Sequence, residues 1–217
     1  MEAENLTLDT LKLQTKCSLR DGSRSGTMTE MNRTLQGLLS CAIFATIAIP
    51  VLAATPELKG KYQEPKINQR LFGQDLSMVN NERDEYASNL AAYAVKIIQT
   101  SKGEQESLDV ARQVMGLALH LSPRNKKCLV ANAQLKRGIM PAKVIADYDS
   151  DVFASLLLTR GQLLEKQDGG TNILLARYLI ALSANIDPRN EDAIYEAEIR
   201  RIDHGEISWK ALTDAKK

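Results

Sequence analysis

The sequence predicts an all-α protein, whose main part contains two copies of a three-helix unit followed by a short helix. Three observations indicate this fold. Apolar residues recur at helical spacing from about residue 84 onwards. One segment returns about 65 positions later with many of the same residues in the same order. Aromatic residues make up only 5% of the 217 residues, which disfavours a β-sandwich or β-barrel.

The helical spacing is clearest in residues 105–121, where apolar or small residues recur every three or four positions. Such spacing places them on one face of an amphipathic helix. The face carries Leu108, Ala111, Met115 and Ala118. Gly103 interrupts the chain before this segment and Pro123 ends it.

The repeat is visible by eye in the printed sequence. Residues 111–125 read ARQVMGLALHLSPRN, and residues 176–190 read ARYLIALSANIDPRN. Asp84 and Asp151, near the start of each copy, are interpreted as helix N-caps. The predicted helices are 85–101, 105–121, 125–137, 151–167, 171–186, 190–202 and a last one near 206–215, which contains Trp209. We expect this last helix to cap the open end of the stack, because repeats bury a core only by stacking.

The repeated segment resembles the second helix and following turn of the tetratricopeptide repeat family. That family places small, bulky and small residues before a proline. The matching sets are Ala111, Met115, Ala118 and Pro123, then Ala176, Ile180, Ser183 and Pro188. Pro141 interrupts the chain where a further helix would lie, so the second repeat of each pair is incomplete. The resemblance implies a right-handed α-α superhelix that binds other proteins, and it implies no catalytic residue.

Residues 31–53 have the pattern of a signal peptide or signal anchor. Arg33 precedes an uncharged run at 38–49, and a V-x-A site ends at Ala53, where we expect cleavage. This pattern predicts export to the periplasm or cell envelope. The alternative is a membrane anchor formed by residues 35–54, although the run is shorter than the roughly 20 residues of a typical span.

The segments on either side of this pattern are predicted to lie outside the folded domain. Residues 1–30 are polar and unpatterned, and we interpret them as a non-native extension with the true start at Met28 or Met31. Residues 54–83 combine prolines and glycines with polar residues and are interpreted as a linker that packs in part through Leu71 and Phe72. The helical repeat domain is then expected over 84–217.

No motif for catalysis, metal binding or cofactor binding is found. The chain has no glycine-rich phosphate loop, no H-E-x-x-H and no cysteine pair at metal-ligand spacing. Asp147, Asp149 and Asp151 lack the glycine and glutamate of a calcium loop and are interpreted as a turn. His120 is interpreted as a surface residue at a helix end, and Cys128 as a buried core residue. A net charge of +1 disfavours a nucleic-acid binder.

Charge differs between the two copies. No Asp or Glu occurs from 110 to 146, a stretch with seven basic residues, whereas 187–206 contains seven acidic residues. One interpretation is an ordinary solvated surface. The other is a partner-binding site at Lys127, Gln134 and Arg137, which by the register of the resembled family point into a concave groove. Its partner would be an acidic segment or C-terminus of another protein. A variant is head-to-tail self-association, basic end to acidic end.

These observations favour an exported adaptor that mediates protein–protein interaction without catalysis. One alternative is a membrane-tethered structural or assembly subunit of a cell-envelope complex. Another is a small-molecule binder or an enzyme accessory protein. For all three we expect no cofactor, no metal and no nucleic acid, and membrane contact only through an uncleaved N-terminal segment.

Overall fold

The computed structural model describes residues 58–67, 71–73 and 75–214. Its helices are α1 (Asn80–Thr100), α2 (Gln105–Leu121), α3 (Lys126–Lys136), α4 (Ser150–Lys166), α5 (Gly170–Ile186), α6 (Glu191–His204) and α7 (Trp209–Thr213). The described residues contain no β-strand and only one isolated bridge, so the all-α prediction is confirmed for them. Among them, no helix is both long and apolar enough to cross a membrane. The predicted extension and signal segment lie outside the described residues.

The helices form two triplets, the first triplet α1–α3 and the second triplet α4–α6. α1 packs on α2 and α3, α4 packs on α5, and α5 packs on α6. Small residues permit this close packing. Gly161 of α4 lies so near α5 that a Cβ atom there would come within 2.5 Å of Ile180 Cγ1. The turns between the first two helices of each triplet use left-handed backbone at Gly103 (φ +70°) and Gly169 (φ +94°).

Asparagines cap the third helix of each triplet. The Asn125 side chain accepts a hydrogen bond from Cys128 N at 3.0 Å, and Asn190 accepts one from Ala193 N at 3.0 Å. For the first helix of each unit, the sequence predicted N-caps at Asp84 and Asp151, and this is wrong. α1 begins at Asn80 and α4 at Ser150, so both aspartates lie within helices.

The N-terminal arm, as we call residues 58–67, 71–73 and 75–78, was predicted to be a linker that packs in part through Leu71 and Phe72. Both residues do pack on the core, and the packing extends further along the arm than predicted. Tyr62, Phe72, Leu76 and Met78 are buried in the main core. Arg83 binds the arm to the start of α1, since its guanidinium donates to Gly73 O at 2.7 Å and to Met78 O at 3.2 Å. The prolines and glycines of the arm prevent a helix but do not prevent its apolar side chains from packing.

The C-terminal arm, residues 205–214, also differs from its prediction. Its helix α7 is only five residues long and packs against α2 of the first triplet rather than capping the end of the second. Gly116 permits the approach, because a Cβ atom there would lie 2.9 Å from Leu212 O. Trp209 meets Tyr178 of α5 edge to face at 5.2 Å, so the arm connects the two triplets.

Candidate functional site

A surface groove, called groove 1, lies between α1 and the beginning of α4 and has a volume of about 530 Å³. Its third side is the loop of residues 137–149, which joins the two triplets. The lining residues on α1 are Asn89, Ala92, Tyr93, Val95, Lys96 and Gln99. The loop and α4 contribute Lys143, Val144, Ile145, Ala146, Tyr148, Asp149, Ser150 and Phe153. Groove 1 is therefore formed by residues far apart in sequence.

The loop side of groove 1, called the loop wall, is held to α1 by hydrogen bonds with amide side chains of α1. The Asn89 side chain donates to Asp147 Oδ2 at 3.0 Å and accepts from Asp147 N at 2.9 Å. Gln99 Nε2 donates to Pro141 O at 2.8 Å. Because Asn89 is almost fully buried, this two-way pairing satisfies polar groups that water does not reach. The wall therefore has a defined position before any ligand arrives.

The groove has an apolar interior and charged edges. Phe153 is buried and Tyr93 is half-buried, and burial raises the pKa of the Tyr93 phenol, so it stays protonated and able to donate. Lys96 and Lys143 are exposed, and Lys96 Nζ donates to Ser150 Oγ at 2.7 Å. The two lysines outnumber the one exposed carboxylate of the lining, Asp149, so the groove suits a ligand that combines apolar groups with a carboxylate.

The three residues predicted to bind a partner lie on and after α3 and do not line groove 1. Lys127 Nζ donates to Ile145 O at 3.1 Å and lies 4.0 Å from Asp147 Oδ1, so it supports the loop wall from outside. Gln134 is half-buried, and Arg137 is exposed at the end of α3. Partner binding by these residues stays a prediction.

Sequence reasoning did not identify the residues that line groove 1. Lys143 belongs to the basic stretch found in the sequence, and this was the available signal. Tyr93 and Lys96 carry no signal of their own, because they lie on the groove only after the loop has folded onto α1.

A second groove, called groove 2, lies between α5, α6 and the C-terminal arm and has a volume of about 430 Å³. Arg177 donates from Nη2 to Gly205 O at 2.7 Å and so holds the arm at its edge. Arg200 pairs with both Glu165 and Glu196, and its hydrogen bond is the main cause that lowers the pKa of Glu196. Arg200 is thus neutralised by carboxylates, whereas Lys96 and Lys143 of groove 1 have no ion pair among the described residues.

The described residues offer neither a reactive thiol nor a group of metal-binding side chains. Cys128 is buried, as predicted, and burial raises the pKa of its thiol to about 12, so it is not a thiolate at neutral pH. Within the described ranges, no group of three or more His, Cys, Asp or Glu side chains is placed to hold a metal ion.

His120 was predicted to lie on the surface, and this is wrong because its side chain is buried at 3% exposure. Leu71 N donates to Nδ1 at 3.3 Å, and Nε2 lies 3.2 Å from Leu212 O. An Nδ1 that accepts must be unprotonated, so these contacts select the neutral ring with its proton on Nε2. His120 thereby joins the N-terminal arm and the C-terminal arm to α2.

Acid should weaken this junction. Burial lowers the pKa of His120 from 6.5, so the unfolded chain binds the proton more readily than the folded one. Stability from the neutral ring is therefore complete above pH 6.5 and is lost as the pH falls through the lower folded pKa. His120→Gln keeps an acceptor and a donor but does not titrate. In urea unfolding between pH 8 and pH 5, we expect the wild type to lose stability relative to this variant on the acid side. Parallel curves would contradict the assignment.

Comparison of the chain with protein-family models, with curated proteins and with solved structures found no match. The resemblance to tetratricopeptide repeats therefore stays a prediction from the residues.

Proposed function

We propose that the protein is an exported adaptor of degenerate tetratricopeptide-like repeats that holds an acidic segment or C-terminus of another protein in groove 1. The observation that carries the proposal is groove 1 itself, with its aromatic interior and the exposed cations Lys96 and Lys143. Both α1 and α4 are first helices of the proposed units, and first helices line the ligand groove in the resembled family. No catalytic step is part of the proposal.

Matching details in the two triplets support the repeat interpretation. Asn125 and Asn190 make the same cap contact 65 residues apart. The residues before Gly103 and Gly169 both have positive φ, +54° at Lys102 and +55° at Asp168. We infer that the triplets are two copies of one unit, stacked as a right-handed α-α superhelix.

The chemistry of groove 1 favours a peptide over a small rigid molecule. Its lining on α1 extends from Asn89 to Gln99, which is roughly 15 Å of helix, and includes amide, aromatic and cationic side chains. An extended segment can place an apolar side chain beside Phe153 and a carboxylate beside Lys96 or Lys143. Exposed cations act mainly on the association rate and on the salt dependence of binding.

Photocrosslinking in the protein's own cells would test this binding mode. Tyr148 in groove 1 and Tyr195 on α6 are both exposed tyrosines, so each is replaced in turn by p-benzoylphenylalanine. We expect the Tyr148 position to capture a segment of another protein with acidic residues or a free carboxyl end. Capture of the same segments at both positions would contradict binding in groove 1.

Charge reversal then tests the role of the two lysines. The captured segment, made as a synthetic peptide, should bind Lys96→Glu/Lys143→Glu about tenfold more weakly at low salt. The matched control is Lys61→Glu/Lys210→Glu, which changes the net charge equally at exposed sites outside groove 1. Equal affinity of both double variants at every salt concentration would reject the acidic-segment proposal.

The exported location is proposed from residues 31–53 alone. Mass spectrometry of the mature N-terminus from native cells should find it near Ala54. An intact segment that stays with the membrane after an alkaline wash would favour the tethered subunit instead.

A further inference from the structure

The third helix of each triplet has an outer face that no other described element covers. On α3 and its C-cap residue this face contains Lys126, Leu129, Val130, Ala133 and Arg137, all exposed, and we call it the basic face. On α6 it contains Glu191, Ile194, Tyr195, Glu198 and Ile202, all exposed, and we call it the acidic face. Each set has the spacing i, i+3, i+4, i+7, i+11, which is one side of a helix. The two sets lie 65 positions apart, residue for residue.

Both faces expose large apolar side chains. Leu129 and Val130 are 46% and 49% exposed, and Tyr195 and Ile202 are 65% and 68% exposed. Each face has two neighbouring apolar residues at the same helical position, namely Leu129 and Val130 on the basic face and Ile194 and Tyr195 on the acidic face. Contiguous apolar side chains with charged neighbours are typical of a protein–protein contact surface. Among the described residues, α3 is followed by an irregular loop and α6 by the C-terminal arm, whose helix α7 packs on α2.

The charges on the two faces are opposite. Lys126 and Arg137 have no ion-pair partner among the described residues, and neither does Glu191, while Glu198 pairs with Arg201 at 2.6 Å in a half-exposed contact. The first turn of α3 contains Lys126 and Lys127 and no acidic residue, although the helix dipole disfavours cations there. The first turn of α6 contains Glu191 and Asp192. Two basic faces or two acidic faces would therefore repel each other, whereas one of each would attract.

We propose that the protein self-associates by packing the basic face of one copy against the acidic face of another. The occupant of each face is thus a second copy of this chain. The contact buries the apolar pairs of both helices and brings Lys126 and Arg137 near Glu191 and Glu198. Each copy has both faces. If two copies pair both of their faces with each other, the assembly is closed; if each face pairs with a different copy, the assembly grows longer. Groove 1 takes no part, so this inference is independent of peptide binding.

Sedimentation velocity on the full chain from its own cells tests the contact through a charge swap. The first variant is Lys126→Glu/Arg137→Glu, and the second is Glu191→Lys/Glu198→Lys. Each gives the chain two like-charged faces, so we expect self-association to weaken at least about tenfold relative to wild type. A 1:1 mixture of the two variants presents opposite faces again and should recover association.

Controls separate loss of the contact from loss of folding or of net charge. Lys61→Glu/Lys210→Glu changes the net charge as much as the first variant does and should associate like wild type. Helical circular dichroism of all variants should be that of the wild type. A wild type that stays monomeric up to about 1 mM would overturn the proposal. So would variants that associate undiminished, or a mixture that does not recover.

Discussion

Replacing Arg160 by methionine is expected to lower the free energy of unfolding by about 3 kcal/mol. Arg160, on α4, is buried and pairs with Glu82 at 2.7 Å between Nε and Oε1. Its Nη2 also donates to Ser77 O at 2.6 Å and to Glu82 Oε2 at 3.0 Å. Methionine fills similar space but leaves a shielded carboxylate and a carbonyl without their donor. The measurement is chemical unfolding followed by circular dichroism.

Two comparisons identify the cause of this loss. Adding Glu82→Gln to Arg160→Met removes the uncompensated charge, so the double variant should be more stable than the sum of the single effects predicts. Arg201→Met removes an ion pair with Glu198 that is half exposed on both sides, and should leave the unfolding midpoint unchanged. If the effects of Arg160→Met and Glu82→Gln on the free energy of unfolding simply add, the broken ion pair is not the source of the lost stability.

Asn125→Ala should lower the free energy of unfolding by about 2–4 kcal/mol. Its oxygen caps α3, and its Nδ2 lies 3.1 Å from Asp84 O, 3.0 Å from Asp84 Oδ1 and 2.7 Å from Ser88 Oγ. Alanine removes the cap and the Asn125 hydrogen bonds to Asp84 and Ser88 of α1, in a site that is only 3% exposed, although Asp84 Oδ1 keeps its bond from Ser122 Oγ. Thermal and urea unfolding would both report the change.

The chain contains its own control for this substitution. Asn190 makes the same cap contact on α6 but has only that one side-chain hydrogen bond, so Asn190→Ala should lower the stability by about 1 kcal/mol. The difference in lost stability between the two variants measures how much the hydrogen bonds from Asn125 to α1 contribute. Equal losses would mean that those bonds contribute nothing.

The six long helices were predictable because their signals are local. Periodic apolar residues define α2 and α5, and the Pro-Arg-Asn turns at 123–125 and 188–190 mark where the third helices begin. The start of α1 was placed five residues late, since its first turn is stabilised by Arg83 contacts with the N-terminal arm rather than by a capping motif. That contact is not encoded in any short pattern.

Except for the packing at Leu71 and Phe72, the contacts of the two arms and groove 1 were not predictable, for the same reason. Phe72 meets His120 edge to face at 6.1 Å, and such a contact joins segments with no periodicity in common. The wall of groove 1 depends on the pairing of Asn89 with Asp147, which are 58 residues apart. The difference in charge between the two copies was visible in the sequence, because like charges cluster along the chain. It pointed to α3 and α6, the helices that carry the basic face and the acidic face.

The position of the C-terminal arm determines the order in which the fold assembles. The helix pairs close over short turns and so lose little chain entropy, whereas Arg112 meets Thr213 across 101 residues and His120 meets Leu212 across 92. Contacts of such sequence separation form slowly. We therefore expect the helix hairpins to form first, with the surface of α2 around Gly116 in contact with water until the arm arrives. During refolding, that surface is the site at which a chaperone or another unfolded chain would bind first.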